Sequence, residues 1–233
     1  MNKELFIKAI NENFKNFDKG FFNKVEIYKS FLQEYNKNIN LTRLDGEHAI
    51  YGEYFLDSIL PFKTIDFSKY KEVLDIGSGS GIPGVVLKIL FPQINLTIIE
   101  SNGKKVTFLK LLCEKLHVEA KIFFKRAEEM RNNEREKFDL VTSRAVSELN
   151  QILEISVAYC KINGLIIEPK GMKYQEELEH AEWIIKNTDL ELLEIIKLQT
   201  TFSNNVLVFK KNSVTDKSFP REWKTIIKDE QNS

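Results

Sequence analysis

The chain is 233 residues long and 42% hydrophobic, and it carries 34 Lys+Arg against 34 Asp+Glu for a formal net charge of zero. That length suits one large domain, or a core with a helical extension, with enough apolar residues to bury a sizeable core. The even balance excludes a protein that attracts nucleic acid by global charge, so only local clusters can point to such a partner.

In chain order, Leu5, Phe6, Ile10, Phe14 and Phe17 recur at helical spacing and predict a first helix from Lys3 to about Phe17. After a break at Asp18-Lys19-Gly20, the same period in Phe21, Val25, Tyr28, Leu32 and Tyr35 predicts a second. Asp45 can cap a third, which carries Ile50, Tyr54, Phe55 and Ile59 and ends before Pro61. Lys63 to Lys71 then links these helices to a region in which strand and helix alternate.

Strands are predicted over Val73–Ile76, Leu96–Glu100, Ala120–Phe124, Phe138–Ser143, Gly164–Glu168, about Leu190–Leu198 and Val206–Lys210. Helices are predicted over Pro83–Phe91, Gly103–His117, Leu149–Cys160 and Tyr174–Asn187. Such alternation argues for a parallel sheet with helices on both faces. The last two strands follow one another through Gln199 to Asn205 with no helix between, so they should form an antiparallel hairpin at the end of the sheet. The expected division is a helical extension over 1–66 packed on the core, a core over 67–211 and a tail over 212–233.

Met1-Asn2-Lys3-Glu4-Leu5 opens without the apolar stretch of a signal peptide, and no later apolar run approaches membrane-spanning length. The expectation is a cytoplasmic protein that does not touch membranes. Cys113 and Cys160 fall inside helical patterns with no partner at ligand spacing, which predicts buried thiols and no metal.

The informative stretch is Val73-Leu74-Asp75-Ile76-Gly77-Ser78-Gly79-Ser80-Gly81-Ile82-Pro83-Gly84. An apolar run reads as a buried strand, the glycines as a tight turn, and Pro83 stands where a first helical position should be. Glycines there let a ligand approach the backbone, and a helix start offers unpaired N–H groups. A dinucleotide fold wants G-x-G-x-x-G. The spacing here is G-x-G-x-G, which resembles the first motif of the S-adenosylmethionine-dependent methyltransferases. Glu100, ending the next predicted strand about twenty residues on, is the acid expected to hold ribose hydroxyls.

Methylation of exocyclic amines in nucleic acid commonly uses an Asn/Asp-Pro-Pro-aromatic loop after the fourth strand, and methylation at pyrimidine C5 a Cys after a Pro. Neither occurs: the segment reads Val141-Thr142-Ser143-Arg144-Ala145-Val146, and the cysteines follow Leu112 and Tyr159. The acceptor left is one that already owns a lone pair.

The order and spacing of Asn40-Leu41-Thr42, Phe55-Leu56-Asp57-Ser58, Gly81-Ile82-Pro83-Gly84, Glu100-Ser101-Asn102-Gly103-Lys104-Lys105, Arg126-Ala127-Glu128-Glu129, Ser143-Arg144-Ala145 and Lys170-Gly171 resemble the bacterial glucose-inhibited division protein B family. The resemblance implies a Rossmann-like methyltransferase fold, with a seven-stranded, mostly parallel sheet and one antiparallel strand. It implies transfer of a methyl group from S-adenosylmethionine to N7 of one guanine in 16S ribosomal RNA. The partner implied is the small ribosomal subunit or an assembly intermediate of it, met by a monomer.

By motif, the resemblance implies that Gly77, Gly79, Gly81, Ile82 and Glu100 hold the cofactor and that Ala127 and Glu128 reach its adenine. Arg144 falls beside cofactor and base, and Arg144 and Lys170 are the candidate catalytic residues, as donors to guanine O6 or to phosphate. Arg126, Lys170 and Arg221 are the candidate RNA contacts. Two positions depart from the family: Tyr54 stands where a His is usual, and after Pro220-Arg221 the tail reads Glu222-Trp223-Lys224.

Guanine N7 is unprotonated at neutral pH, so no general base is required, only alignment in a water-poor site. A base inside folded RNA must be unstacked to reach it. The segment Lys104 to Arg126, where seven basic residues outnumber Glu114 and Glu119, is the best local candidate for phosphate contact. A small-molecule or protein methyltransferase, a nicotinamide oxidoreductase and a binding module without turnover are the other classes left open.

Overall fold

The structure, a computed structural model, describes residues 1–37, 39, 41–42, 46–129 and 134–230. Asn40 of the family motif and the expected cap Asp45 lie outside the described residues. Among the described residues the strands are β1 (Glu72–Ile76), β2 (Asn95–Glu100), β3 (Ala120–Phe124), β4 (Phe138–Ser143), β5 (Cys160–Lys170), β6 (Leu190–Lys197) and β7 (Asn205–Lys211). They form one sheet in the order β3-β2-β1-β4-β5-β7-β6, in which β7 runs antiparallel between β5 and β6 and every other neighbouring pair is parallel. The expected α/β sheet with one reversed strand is therefore the observed one. β1 lies inside the sheet between β2 and β4, and four of its five residues are buried, as a strand covered on both faces requires.

The helices are α1 (Lys3–Asn13), α2 (Phe21–Asn36), α3 (Gly46–Ala49), α4 (Asp57–Ile59), α5 (Gly84–Leu90), α6 (Gly103–Leu116), α7 (Leu149–Tyr159), α8 (Tyr174–His180), α9 (Glu182–Asn187) and α10 (Trp223–Glu230). One sheet face is buried with α1, α2, α5 and α6, and the other with α7, α9 and α10. The N-terminal helices share one apolar cluster with the first face, since Phe31 of α2 stacks on Phe108 of α6 at 5.3 Å. Full burial of side chains such as Phe6, Tyr28 and Phe55 is worth about 1.5–3 kcal/mol each. Capping follows the sequence: Asn2 accepts from the Leu5 N–H at the start of α1, Asn102 from the Lys104 and Lys105 N–H groups, and His117 closes α6 with φ 51°.

Several boundaries differ from the periodicity. α1 stops at Asn13, and Phe14 turns extended to meet Phe91, while Phe17 meets Phe21 and Phe22 edge-on. Their burial imitates helical spacing without a helix. The third helix is a π-helical stretch over Ile50–Leu56 that runs into α4, with the Asp57 N–H donating to the Gly52 carbonyl. Pro83 precedes the first turn of α5, which begins at Gly84.

Cys160 opens β5 rather than closing a helix, since β5 starts four residues before Gly164 and shifts register against β4. The helix expected over Tyr174–Asn187 breaks at Ala181, where buried Ala181 and Ile184 continue the apolar period across the break and hide it. In the tail, α10 went unforeseen.

Candidate functional site

The loop after β1 is held by protein groups. Asp75 is fully buried, and its Oδ2 accepts from Ser78 Oγ (2.5 Å) and from the Gly84 N–H (2.9 Å). The Gly81 and Ile82 N–H groups go to the Ser78 carbonyl, and the Gly79 N–H goes to Glu100 Oε2 (2.9 Å), whose Oε1 takes the Asn102 N–H (2.8 Å). The helix start thus keeps its first N–H for Asp75, contrary to the expectation of donors left for a ligand. A pyrophosphate would need those donors.

The glycines divide by what lies over them. Gly77 has φ +68°, and a Cβ there would come 2.6 Å from Val146 Cγ2. Gly79, at φ +60°, has room for a Cβ, which would make ordinary contact with the Gly77 carbonyl (3.8 Å) and Lys105 Nζ (3.9 Å). Gly81, at φ +100°, is glycine for a second reason besides its backbone: the space over it belongs to the Tyr28 hydroxyl, with Val85 and Leu112 behind. Tyr28 donates to the Ser80 carbonyl, and Tyr54 bonds both Ser80 O (2.9 Å) and Ser80 Oγ (2.8 Å). The departure at Tyr54 therefore lies beneath the glycine loop, where its hydroxyl braces that loop from the helical side.

Two cavities open at the carboxyl ends of the strands, where ligands bind in sheets of this kind. The first, of about 220 Å³, runs from Gly77 past Ser101 to Ala127 and Glu128, and is closed by Val146 and by Trp223 of α10. Here the structure brings together Gly77, Arg126, Ala127 and Glu128 of the expected set. Trp223 was missed, and its only signal is a tryptophan in a charged tail. Gly81 is absent from this lining, and Ile82 lines the second cavity instead.

The second cavity, of about 390 Å³, lies over the ends of β4 and β5 and shares Ser147 with the first. Arg144 lines it with its side chain 10% exposed, donating through Nη2 to the Glu53 carbonyl (3.1 Å) and to Asp57 Oδ2 (2.5 Å). Asp57 is 1% exposed and also accepts from the Phe202 N–H and from both the N–H and Oγ of Ser203. The π-helical stretch makes this possible, carrying Tyr54 to the glycine loop and the Glu53 carbonyl to Arg144, with Asp57 just after it. Lys170 is as buried as Arg144 and is tied to Glu177 (2.7 Å) and to the Ser147 carbonyl (3.0 Å). Glu168, which the sequence reading passed over, lines the same cavity.

Asp75 and Glu168 are both raised by burial, to about 7 and about 8. Ser78 and the Gly84 N–H pull Asp75 back down while Glu100 pushes it up. For Glu168, Lys170 and Ser143 pull down while Asp75 and Glu177 push up. Acids with raised folded-state pKa bind more protons folded than unfolded between about pH 4 and those values. The Tm should therefore fall as pH rises from about 5 to 8, and Asp75→Asn should flatten that slope; a Tm that climbs over the same interval would overturn the assignment.

Of the expected RNA contacts, Arg126 edges the first cavity and Arg221 stands apart from both. Arg126 is mostly exposed, 3.7 Å from Glu128. Arg221 grips buried Glu154 through Nε and Nη2 (2.9 and 2.6 Å) and stacks on Trp183, at a third cavity lined also by Arg135 and Lys217. In the basic segment Lys104, Lys110, Lys121 and Lys125 are exposed and form no ion pair among the described residues. No helix among the described residues is long and apolar enough to cross a membrane.

Residues 22–206 match the family model described as rRNA small subunit methyltransferase G. The chain is 42% identical over 233 residues to the Ribosomal RNA small subunit methyltransferase G of Ureaplasma parvum serovar 3, covering 98% of this chain and 99% of that one. Its identity to the protein of the same name from Malacoplasma penetrans is 43%, over the whole of both. Among solved structures, a putative caffeoyl-CoA O-methyltransferase from Staphylococcus aureus superposes with a TM-score of 0.58 at 17% identity, covering 90% of this chain and 99% of that one.

Proposed function

The chain belongs to the rRNA small subunit methyltransferase G family, and from that premise we propose that it transfers a methyl group from S-adenosylmethionine to N7 of a guanine in 16S ribosomal RNA. One observation carries the assignment of roles: two cavities, one beside Gly77 and one beside Arg144 and Lys170, meet at Ser147. The first suits an adenosine because it is walled by Ile76, Ile99 and Ile155, with Glu128 present to accept from an exocyclic amine. The N–H groups of the glycine loop are engaged by carboxylates and a carbonyl, which suits a ligand without phosphates and disfavours the nicotinamide reading.

S-adenosylmethionine supplies the methyl group on a sulfonium, so its own leaving group comes with it. Gly77, Gly79 and Glu100 would hold its sugar and methionine parts and Ala127 and Glu128 its adenine, with Trp223 excluding water. Gly81 and Ile82 would serve it indirectly, through the shape of the loop. The N7 lone pair forms the new bond to carbon while the carbon–sulfur bond breaks, and no proton has to be removed. Arg144 would orient the base: its Nη2 is held by Asp57 and Glu53, which leaves Nε and Nη1 without partners among the described residues to donate to O6 or a phosphate. Lys170 would set the local field rather than grip phosphate, since Glu177 already holds it.

Arg126 and the lysines from Lys104 to Lys125 would meet the RNA backbone, while Arg221 would act through the tail. In this reading the helical extension 1–66, the core 67–211 and the tail 212–233 work as one monomeric unit. Its setting is the cytoplasm, with the small subunit or a precursor of it as substrate. Loss of N7-methylguanine from 16S RNA in a strain lacking the gene, restored by the intact gene and not by Arg144→Ala, is the expected result. An unchanged nucleoside profile in the deletion would overturn the function.

A further inference from the structure

We propose that Glu168 reads the base: its Oε1 accepts a hydrogen bond from the 2-amino group of the guanine that enters the cavity over β4 and β5. The inference rests on the reading above that the acceptor is a guanine in ribosomal RNA. It begins from an unsatisfied atom. Glu168 is 1% exposed and lines the cavity, its Oε2 accepts from Ser143 Oγ at 2.6 Å, and its Oε1 has no hydrogen-bond partner among the described residues. Buried oxygens of this kind ordinarily have a donor, and an unpaired one is unfavourable until a ligand brings it.

The neighbouring charges are already engaged elsewhere. Arg144 turns Nη2 to Asp57 and Lys170 goes to Glu177, and neither gives Oε1 a hydrogen bond. A base can supply it. Guanine presents N1–H and a 2-amino group side by side, whereas adenine carries an acceptor at N1 and nothing to donate at C2. Both purines own an N7, so chemistry at N7 cannot choose between them; a carboxylate facing the opposite edge can.

The placement matches that division of labour. Ser143 ends β4 with Arg144 directly after it, and Glu168 lies on β5, the parallel neighbour of β4, about 4.8 Å across the sheet. A purine lying across the two strand ends would turn its N7 edge toward the β4 side and its donor edge toward Glu168. Phe202, 48% exposed at the rim with the Arg144 guanidinium 5.9 Å from its ring centre, offers a face for a base taken out of its stack. Burial holds the empty carboxyl up at about 8. Two donors on the base, with Lys170 nearby, favour the ionised form, so the proton passes to solvent as the base binds.

The test compares kcat/KM on 16S RNA carrying guanosine or inosine at the target position. Inosine keeps N7, O6 and N1–H and lacks only the 2-amino group. The wild type should prefer guanosine by about tenfold or more, the scale of one hydrogen bond to a charged acceptor. Glu168→Met, which fills the same space without an acceptor, should bring the ratio close to one through a lower rate on guanosine. Glu168→Gln, which keeps one acceptor oxygen, should fall between. Adenosylmethionine affinity, measured on each variant, should stay within a few-fold of wild type and shows that the fold is intact. An equal guanosine-to-inosine ratio in wild type and Glu168→Met would overturn the role of Glu168 while leaving the function standing. Failure of the wild type to methylate guanosine RNA at all would overturn the function and this role together.

Discussion

Replacing Asp57 by alanine should destabilise the protein by about 3–5 kcal/mol and abolish methyl transfer, the size expected when one partner of a buried ion pair is removed. Asp57 is 1% exposed and gathers four donors: the Arg144 guanidinium, the Phe202 and Ser203 N–H groups and the Ser203 hydroxyl. Without it, Arg144 keeps only the Glu53 carbonyl, and the buried Ser203 N–H and the part-buried Phe202 N–H lose their acceptor. The segment after β6 then loses its tie to α4, and Phe202 leaves the rim of the second cavity. Denaturant unfolding and a methylation assay read the two effects separately. Asp57→Asn, which preserves an acceptor but not the charge, should fall midway in stability. Ser203→Ala, removing one neutral donor, should cost about 1 kcal/mol. An Asp57→Ala protein as stable as wild type would show that the pair contributes nothing and that Arg144 is positioned by other means.

The second large effect is expected at Gly77. With φ +68°, an alanine there costs about 1–2 kcal/mol in backbone conformation alone, and its Cβ would stand 2.6 Å from Val146 Cγ2. Val146 has to move, and it lines the first cavity. The fold should survive, since the β1 core behind Gly77 is untouched. Adenosylmethionine affinity, measured by titration calorimetry, should weaken at least about tenfold, equivalent to 1.4 kcal/mol. Adding Val146→Ala relieves the collision but not the dihedral, so the double variant should recover part of the loss. Unchanged affinity in Gly77→Ala would place the cofactor elsewhere. The same substitution at Gly81 adds a different collision to a similar backbone strain: φ is +100° there too, but the obstacle is the Tyr28 hydroxyl, so the loop is pushed from the helical side.

The contrast between these two glycines shows how far the motif could be read. Spacing alone marks the turn after β1 and assigns every glycine to a ligand. Only the fold shows that Gly81 makes room for Tyr28 and Gly84 for Asp75, because the groups that fill those spaces come from distant chain or from the strand itself. Tyr54 is a similar case. By sequence it is a departure from the family's His, and by structure it is a hydroxyl that bonds Ser80.

The basic residues tell the same story from the other side. Arg144, Lys170 and Arg221 read alike as positive charges near motifs. Each is in fact held by a specific acid, Asp57, Glu177 and Glu154, and none of those acids lies within five residues of its partner.

What the chain's order of residues determined unaided was the sheet, its reversed strand and the strand ends at which ligands gather, because apolar runs and turn residues are local signals and alternation admits few topologies. What only the tertiary structure decided was which polar groups remain unmatched there. A carboxylate's partners depend on chain brought from β4, from α4 and from the tail, and burial sets its charge; neither is written in spacing. Glu168 is ordinary as a letter in a strand and becomes singular once the fold sets it in a cavity lining, where Ser143 takes one of its oxygens and the other has no partner among the described residues.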